Sequence, residues 1–264
     1  MTTEDVLLTA DADGVRTVTL NRPKAYNSLN FELKERLLAA VREASADPAV
    51  RAVVLSGAGK AFCAGQDLKE HVALLQADDP APLRTVQDHY NPIVRAIVEM
   101  PKPVIAAVNG PAAGAGAALA YAADLRIAAA SANFLMAFAG VGLGPDSGAS
   151  WTLQRLVGYG RAAELMLLAP TVGAAEARSL GLVTEVVPDD DLAARAQALA
   201  AKLAAGPTVA YAKIKQVLAV AAEGSLEDAL AAEDAAQTAL GSTADHREAV
   251  EAFVAKRKPK FQGR

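Results

Sequence analysis

Apolar positions in the first fifty residues follow two different periods, one typical of a strand and one of a helix. Val15 to Leu20 (VRTVTL) alternates with a period of two, which predicts a half-exposed strand that ends before Pro23. Residues 31–45 follow the helical period, and Asn30 precedes them as a candidate N-cap. The apolar stripe of this predicted helix consists of Leu33, Leu37, Leu38 and Val41.

Four short apolar runs predict further strands. They occupy residues 52–57, 103–110, 125–128 and 184–187. The first two contain no polar alternation, which is typical of strands covered on both faces, and each ends in a glycine-rich loop. Because helical stretches separate the runs, the order predicts an α/β fold.

The chain changes character at Asp191, after which only helical periods continue, to about Ala255. We therefore predict a core of residues 1–190 and a helical subdomain of residues 191–264. Residues 71–90 contain two prolines and a pair of aspartates, which predicts a partly irregular segment that could cover a site.

Composition indicates a globular protein, and its net charge argues against one class of binding partner. The chain has 264 residues, of which 52% are apolar and 21% charged, so it can bury a large core. A net charge of −4 argues against nucleic acid as a partner, because proteins that bind it normally carry a basic face. The single cysteine excludes a disulfide framework.

The N-terminal segment and the apolar runs also bear on location. MTTEDVLLTADADG has acidic residues where a signal peptide carries Lys or Arg, and no apolar region follows it. The longest apolar stretch, Ala112 to Ala123, is about half the ~20 residues that a membrane-spanning helix needs. We therefore expect a cytoplasmic protein that does not enter a membrane.

Several common catalytic motifs are absent from the sequence. The three histidines are scattered, with no HExxH and no cysteine at ligand spacing, so no metal centre is predicted. No GxSxG motif is present, which argues against a serine hydrolase. The two GxG pairs lack the third glycine of a dinucleotide site, so no such cofactor is expected.

Two glycine-containing loops, residues 60–70 and 109–120, follow buried predicted strands. Glycine allows positive φ and close approach of a ligand to peptide N–H groups, and a helix that begins near Gly114 would direct its positive end at an anion. Two amides on one oxygen form an oxyanion hole, which contributes ~3 kcal/mol per donor to a transition state. The alternative is that the glycines only allow strands and helices to pack.

The segments NRPKAYNSLN, GKAFCAGQDLKE, KPVIAAVNGPAAGAG and EAFVAKRKPKF resemble the enoyl-CoA hydratase/isomerase (crotonase) superfamily, in the family's order and spacing. This resemblance implies a crotonase (ClpP-like) spiral of ββα units with a C-terminal helical trimerisation subdomain. It also implies an acyl-CoA thioester as substrate, a thioester enolate as intermediate, and no cofactor beyond the CoA moiety of the substrate. The expected assembly is a homotrimer, with a dimer of trimers as the further possibility.

The resemblance assigns binding roles by motif position. The oxyanion amides would be those of Gln66 and Ala115, and only the backbone of each is needed. The predicted CoA-binding residues are Lys24, Ala25, Tyr26, Ala64, Gly65, Gln66, Asp67, Leu68, Lys69, Phe253 and Lys256, the last two reaching the CoA of a neighbouring subunit. The alternative for the KRKPK run is a solvated basic helix end.

The acidic residues decide which reaction the resemblance implies. Hydratases of this family use two glutamates, and the matching positions here are Ala118 and Phe138. Asp146 remains, near Val141, Leu143 and Trp151 in the sequence, where desolvation would raise its pKa and suit it to shuttle a proton. The alternative for Asp146 is an Asx turn or the N-cap of a helix over residues 147–157.

The runs FCAGQDL, AAGAGA and GLGPDSG with its following Trp are similar to the branch of the family that isomerises ring epoxides of phenylacetyl-CoA. Related members move the double bond of 3-enoyl-CoA. This similarity implies an isomerase in which Asp146 moves the proton. Phe134, Met136 and Phe138 would line an acyl pocket or, alternatively, belong to the core. The competing hypotheses are an enoyl-CoA hydratase and a non-catalytic acyl-CoA or RNA binder.

Overall fold

The structure is a computed structural model that describes residues 5–264. Residues 1–4, the start of the acidic N-terminal segment, lie outside the described residues. The strands are β1 (Leu7–Ala12), β2 (Val15–Leu20), β3 (Ala52–Gly57), β4 (Val104–Val108), β5 (Ala112–Ala113), β6 (Leu125–Ala129), β7 (Asn133–Leu135), β8 (Val172–Gly173) and β9 (Glu185–Val187). The helices are α1 (Phe31–Ala46), α2 (Leu68–Gln76), α3 (Asn91–Val98), α4 (Ala115–Ala122), α5 (Ala149–Leu167), α6 (Ala174–Leu180), α7 (Leu192–Ala204), α8 (Thr208–Glu223), α9 (Leu226–Gly241) and α10 (Ala244–Val254).

The core is a six-stranded sheet in the order β1-β2-β3-β4-β6-β9. Only the β1–β2 pair is antiparallel, and every other pair in this sheet is parallel. All five residues of β4 are buried, which confirms the prediction of a strand covered on both faces. The sheet therefore brings the loops after β3 and β4 to the same edge.

The edge strand β1 was not predicted from the sequence. Leu7 alone among its residues is buried, so its hydrophobic signal is weak. It joins β2 through Asp13 and Gly14, which have φ of 51° and 75°. Two positive φ angles in a row match the twist of a tight hairpin, and an Asp-Gly pair adopts them readily.

Helix α1 confirms its predicted bounds and cap. The Asn30 side chain accepts a hydrogen bond from the Leu33 amide at 3.0 Å, which satisfies one of the free N–H groups of the first turn. Leu33, Leu37 and Val41 are buried as the stripe predicts, and Leu38 is half-buried. Helix α5 is broken at Gly158, where φ is 75° and ψ 161°, so its first part ends where the predicted helix 147–157 ends.

The second sheet is small and lies next to the loop after β4. Its order is β5-β7-β8, with strands of two or three residues. In β7, Phe134 is buried and stacks on Tyr121, with ring centroids 5.8 Å apart. Met136 and Phe138 are also buried in the core, which agrees with the alternative that these side chains pack the interior.

The predicted division at residue 190 precedes α7, and this helix packs against β2, β3, β4 and β6. Its buried residues recur every four positions, at Leu192, Ala196, Ala200 and Ala204. The helices that follow behave differently, because α8 buries no residue fully and α9 only Ala236. Within residues 5–264, no helix combines the length and hydropathy needed to cross a bilayer.

An ion pair joins α8 to the core. Lys215 Nζ lies 2.8 Å from Asp124 Oδ2 and donates to the Lys102 carbonyl at 3.2 Å. The same Asp124 oxygen accepts a hydrogen bond from the Val104 amide at 2.8 Å, so the contact reaches the first residue of β4. Burial raises the pKa of Asp124 despite the ammonium beside it, so this carboxylate depends on Lys215 for its charge balance.

We expect Lys215→Met to lower the free energy of unfolding by about 1–3 kcal/mol, because it leaves the Asp124 carboxylate without its cation. Urea unfolding would measure this loss. Lys213→Met is the matched control, since Lys213 lies on the same helix and, within residues 5–264, its ammonium donates a hydrogen bond only to Gln216; we expect a change within about 0.5 kcal/mol. Equal losses in both variants would contradict the role of the pair.

Candidate active site

The loops after β3 and β4 lie side by side and pair through their backbones. Cys63 and Ala112 form a parallel bridge, and the Ala113 amide donates to the Cys63 carbonyl at 2.9 Å. A Cβ built on Gly116 would lie 2.1 Å from the Cys63 carbonyl oxygen, so only glycine allows this approach. The structure therefore brings together the two loops that the sequence singled out.

The predicted oxyanion donors are the amides of Gln66 and Ala115, and neither donates to another group within residues 5–264. Ala115 is the first residue of α4, where peptide N–H groups have no partner inside the helix. Gly65 has a φ of 89°, and a Cβ built on it would lie 3.5 Å from the Ala115 nitrogen and 2.8 Å from the Ala113 carbonyl oxygen. Residue 65 thus lies directly against the first turn of α4, which places the two donor-bearing segments in contact.

The Gln66 backbone is held from the other side by the segment before α1. Gln66 forms a parallel bridge with Leu29, whose amide donates to the Gly65 carbonyl at 2.7 Å. Asp67 accepts hydrogen bonds from the Lys69 and Glu70 amides and so caps α2. These contacts fix the backbone on both sides of the free Gln66 amide.

Asp67 also forms an ion pair with Arg22, whose Nη1 lies 2.8 Å from its Oδ2. Burial alone would raise the pKa of Asp67, but the hydrogen bonds from Arg22 and from the Glu70 and Lys69 amides outweigh it and lower the pKa. Asp67 is therefore a charged structural anchor of the loop.

Asp146 lies in the turn before α5, and its carboxyl does not cap that helix. The N-cap residue is Gly148, with a φ of 69°. The Asp146 side chain accepts a hydrogen bond from Ser147 Oγ at 2.8 Å and, within the described range, bonds no backbone amide. The structure therefore contradicts the alternative of an Asx turn or N-cap and leaves the carboxyl free for another role.

Burial raises the pKa of Asp146 above its ordinary value, and the hydrogen bond from Ser147 opposes this only in part. The exposed fractions of Val141 and Leu143 are 62% and 38%, so the burial does not come mainly from these neighbours in sequence. Helix α3 packs on the same turn, since a Cβ built on Gly148 would lie 3.0 Å from Val94 Cγ1. Desolvation brings the two protonation states of a carboxyl closer in energy, which suits it to accept a proton and return it.

The two positions that would carry hydratase glutamates are apolar and buried. Ala118 lies in α4 with no exposed surface, and Phe138 is 8% exposed. Both side chains belong to the hydrophobic core, so neither position supplies a carboxylate that could hold a water.

Most of the predicted CoA-binding residues of the core are exposed or half-buried, whereas Gly65 and Asp67 are buried. Lys24 and Ala25 lie in a 3₁₀ turn, Pro23–Ala25, and Tyr26 follows with 58% of its surface exposed. The Tyr26 carbonyl accepts a hydrogen bond from the Ala64 amide at 3.0 Å, which joins this turn to the loop that runs to Lys69. Ala64, Leu68 and Lys69 are exposed. A cavity of about 350 Å³ adjoins the turn and is lined by Asp5, Val6, Asn21, Arg22, Pro23, Lys24, Ala25 and Glu32.

Phe253 and Lys256, the other two predicted CoA-binding residues, lie at the end of the helical tail. Phe253, near the end of α10, is 84% exposed, and Lys256 follows the helix with a φ of 52°. No hydrogen bond or ion pair within residues 5–264 joins their side chains to the other predicted site residues. Their contact with the CoA of a neighbouring subunit stays a prediction.

Sequence reasoning missed two residues that shape the site. Asn27 is fully buried and donates to the carbonyls of Ala58 and Ala61 at 2.9 and 2.8 Å, which fixes the start of the first loop. The Tyr90 hydroxyl donates to Gln66 Oε1. The sequence signal for Tyr90 is Pro92, two residues later, because a proline inside a helix distorts the turn that precedes it.

Within the described part of the chain, no group of three or more His, Cys, Asp or Glu side chains has a metal-binding arrangement. The Cys63 thiol is fully buried, and burial raises its pKa to about 12. It is therefore a protonated core group and not a nucleophile.

Comparisons with known proteins agree on one family. The family model described as enoyl-CoA hydratase/isomerase matches residues 10–264. The chain is 45% identical over 251 residues to the 1,2-epoxyphenylacetyl-CoA isomerase of Escherichia coli K12. This alignment covers 95% of this chain and 96% of the relative. The chain is also 45% identical over 254 residues to a Rhodobacter capsulatus protein named "Probable enoyl-CoA hydratase", with 96% of each chain covered.

Solved structures of proteins with enoyl-CoA hydratase in their names confirm the predicted fold. A crystal structure of an enoyl-CoA hydratase/isomerase from Mycobacterium abscessus superposes on this chain with a TM-score of 0.95, at 46% sequence identity. The superposition covers 98% of this chain and 100% of that chain. A Streptomyces coelicolor structure described with the words enoyl-CoA hydratase gives a TM-score of 0.93 at 41% identity, covering 100% of this chain and 96% of that chain.

The raised pKa of Asp146 predicts a stability effect with a definite sign. Below the ordinary pKa of aspartate, both the folded and the unfolded chain carry a protonated Asp146. As the pH rises, the unfolded chain ionises first, so the free energy of unfolding falls until the pH passes the raised folded pKa.

We therefore expect Asp146→Asn to be more stable than the wild type at pH 7.5, and this advantage to shrink at pH 4. Urea unfolding at the two pH values measures it. Asp190→Asn is the control, since Asp190 is exposed in a surface turn and should change stability by less than about 0.5 kcal/mol at either pH. A destabilised Asp146→Asn at pH 7.5 would show that the carboxylate supports the fold.

Proposed function

The chain belongs to the enoyl-CoA hydratase/isomerase family, and we propose that it is an acyl-CoA isomerase that transfers a proton through Asp146. The observation that carries this proposal is that an acid is present at position 146 and absent from the two positions that carry glutamates in hydratases. Asp146 is a half-buried carboxyl with a raised pKa and no capping role, whereas both hydratase positions are apolar. One acid suffices to move a proton between two carbons, but two are needed to activate and protonate water.

The proposed reaction begins at the carbon next to the thioester carbonyl. The Asp146 carboxylate takes a proton from this carbon. The electron pair of the broken C–H bond forms a carbon–carbon double bond to the carbonyl carbon, and the π pair of the carbonyl moves onto the thioester oxygen, which gives an enolate. The amides of Gln66 and Ala115 hold the charged oxygen. In a 3-enoyl thioester, with the carbonyl carbon as C1, protonated Asp146 returns the proton to C4. The carbonyl re-forms, the double bond moves to C2–C3 in conjugation with it, and Asp146 regains its starting charge.

The substrate we propose is a ring-epoxide phenylacetyl-CoA or a 3-enoyl-CoA, which share this enolate. The name of the Escherichia coli relative supports the first. The name of the Rhodobacter capsulatus relative supports a second candidate, enoyl-CoA hydration. Ala118 and Phe138 count against hydration, because neither side chain can exchange a proton with water.

We propose that CoA lies along the surface formed by Lys24 to Tyr26 and Ala64 to Lys69. Exposed Lys24 and Lys69 would neutralise phosphate charge, and the adjoining cavity provides space at the Lys24 end. Phe253 and Lys256 would reach this ligand from a neighbouring subunit of a homotrimer. Large apolar side chains are exposed along the tail and would be covered in such an assembly, namely Ile214, Leu218, Leu226, Leu230, Val250 and Phe253.

The assembly predicts a mass of three chains in solution. Light scattering coupled to size exclusion should give three times the 27.1 kDa of one chain, or six times for a pair of trimers. Phe253→Asp should weaken CoA binding in calorimetry if its ring contacts the neighbour's ligand. A monomeric mass would remove the proposed role of Phe253 and Lys256.

The reaction is tested with trans-3-hexenoyl-CoA and crotonyl-CoA in parallel, by following the ultraviolet absorbance of the conjugated thioester. We expect absorbance to rise with the first substrate and to stay constant with the second. Asp146→Asn should lower kcat on the first by about 10²–10⁴-fold with little change in KM, because it keeps the shape of the side chain and removes the proton carrier.

Two results would overturn this proposal. Rapid loss of crotonyl-CoA would mean that hydration proceeds without the two glutamates. Near-full turnover by Asp146→Ala on every acyl-CoA tested would exclude Asp146 as the proton carrier. If neither result is found and the wild type isomerises trans-3-hexenoyl-CoA, the ring epoxide is the next substrate to test.

A further inference from the structure

The Tyr90 hydroxyl links two parts of the site that are far apart in sequence. Tyr90 is 1% exposed and donates a hydrogen bond to Gln66 Oε1, across 24 residues. The other hydrogen bond of the Gln66 carboxamide, from Nε2 to the Asp67 carbonyl, is long at 3.5 Å. Tyr90 is therefore the contact that fixes the orientation of the Gln66 side chain.

A local widening of the backbone places Tyr90. Val86–Tyr90 forms a π-helical turn in which the Asn91 amide donates to the Val86 carbonyl, before α3 continues through Pro92. Proline lacks an N–H group and its ring crowds the preceding turn, which accounts for the wider turn here. Such turns are often found at functional sites.

The same helical face carries Tyr90 towards the Asp146 turn. Val94 lies one turn after Tyr90, and its Cγ1 would be 3.0 Å from a Cβ on Gly148. Burial and then the negative charge of Asp146 raise the pKa of Tyr90, so its hydroxyl stays protonated and available as a donor. Tyr90 thus lies between the residue that supplies an oxyanion amide and the turn that supplies the proton carrier.

The ring of Tyr90 is itself held in place. Lys34 Nζ lies 5.6 Å from the ring centroid and donates to Thr85 Oγ1 at 2.8 Å. Lys34 is 3% exposed, so its ammonium contacts the ring away from water, where a cation–π contact is stronger. The hydroxyl consequently has little freedom to leave Gln66.

We propose that Tyr90 is a positioning residue for the enolate-binding site, holding the Gln66 carboxamide so that the Gln66 peptide N–H stays directed at the thioester oxygen. The inference rests on the proposed function, because it assigns Tyr90 a part in holding the same enolate. It goes beyond that function by assigning the geometry of one oxyanion donor to a side chain that does not touch the substrate oxygen. Oxyanion donors act strongly only within a narrow range of distance and direction, so a small rotation of this peptide would weaken catalysis.

The kinetic test is Tyr90→Phe, which removes one oxygen atom from a buried ring. We expect kcat for trans-3-hexenoyl-CoA to fall about tenfold with KM unchanged within about twofold, because the donor acts mainly on the charged intermediate. Tyr121→Phe is the matched control, since Tyr121 is also buried and its ring packs against Phe134 in the core. We expect this control to keep the wild-type kcat.

A double-mutant cycle with Gln66→Ala tests whether Tyr90 acts through the carboxamide. Gln66→Ala keeps the backbone N–H and removes the acceptor of the Tyr90 hydrogen bond. We expect each single variant and the double variant to lose the same factor in kcat. Losses that multiply in the double variant would overturn the inference, as would an unchanged kcat in Tyr90→Phe.

A readout without turnover separates this inference from the proposed reaction. The probe is hexanoyl-CoA labelled with ¹³C at the thioester carbonyl, whose chemical shift on binding reports the hydrogen bonds at the oxygen. In Tyr90→Phe we expect the shift to move towards its value in free solution, and in Tyr121→Phe to match the wild type. An unchanged shift in Tyr90→Phe would overturn the inference even if the wild type isomerises 3-enoyl-CoA. A wild type without isomerase activity would overturn the proposed reaction and leave this measurement valid.

Discussion

Backbone contact between the loops after β3 and β4 is the constraint on which the site depends. Gly116 lies against the Cys63 carbonyl at a distance that leaves no space for a Cβ, and Gly65 lies against the Ala113 carbonyl in the same way. Because the loops contact each other through peptide groups, main-chain geometry places the two free amides, and the bond from Tyr90 to the Gln66 side chain, as we propose, holds the direction of one of them. The parallel sheet makes this possible, since it ends β3 and β4 at one edge. Side chains around the site can therefore vary while the two amides keep their positions.

The acidic residues show how the surroundings decide chemistry. Asp67 is buried and Asp146 half-buried, yet their pKa values move in opposite directions. Asp67 has Arg22 and two amides as partners, so it stays charged and holds the loop. Asp146 has one hydroxyl partner, so desolvation dominates and its two protonation states lie closer in energy. The same side chain is thus a structural anchor at one position and a proton carrier, as we propose, at the other.

Much of the fold followed from the sequence, because its central strands and α1 have strong periodic signals. β2 and β3 begin and end at the predicted residues, and Asn30 caps α1 as predicted. The short strands of the second sheet carry too few residues for a periodic signal and form only through tertiary contacts. Among site residues, the loops were found because glycines mark them, and Asp146 because apolar residues occupy the other acid positions. The bond from Tyr90 to Gln66 could not be found, since no local pattern encodes a contact across 24 residues. The cytoplasmic location and the division at residue 190 stay predictions.

The burial of Cys63 gives the protein an internal reporter of motion. It is the one cysteine of the chain, and its Sγ donates to the Asn27 carbonyl beneath the loop that carries Gln66. A thiol with a pKa near 12 and no access to water reacts with labelling reagents only after the loop opens. The rate of its modification therefore measures how often the paired loops separate, and a ligand that bridges the two amides would slow this rate in proportion to its occupancy.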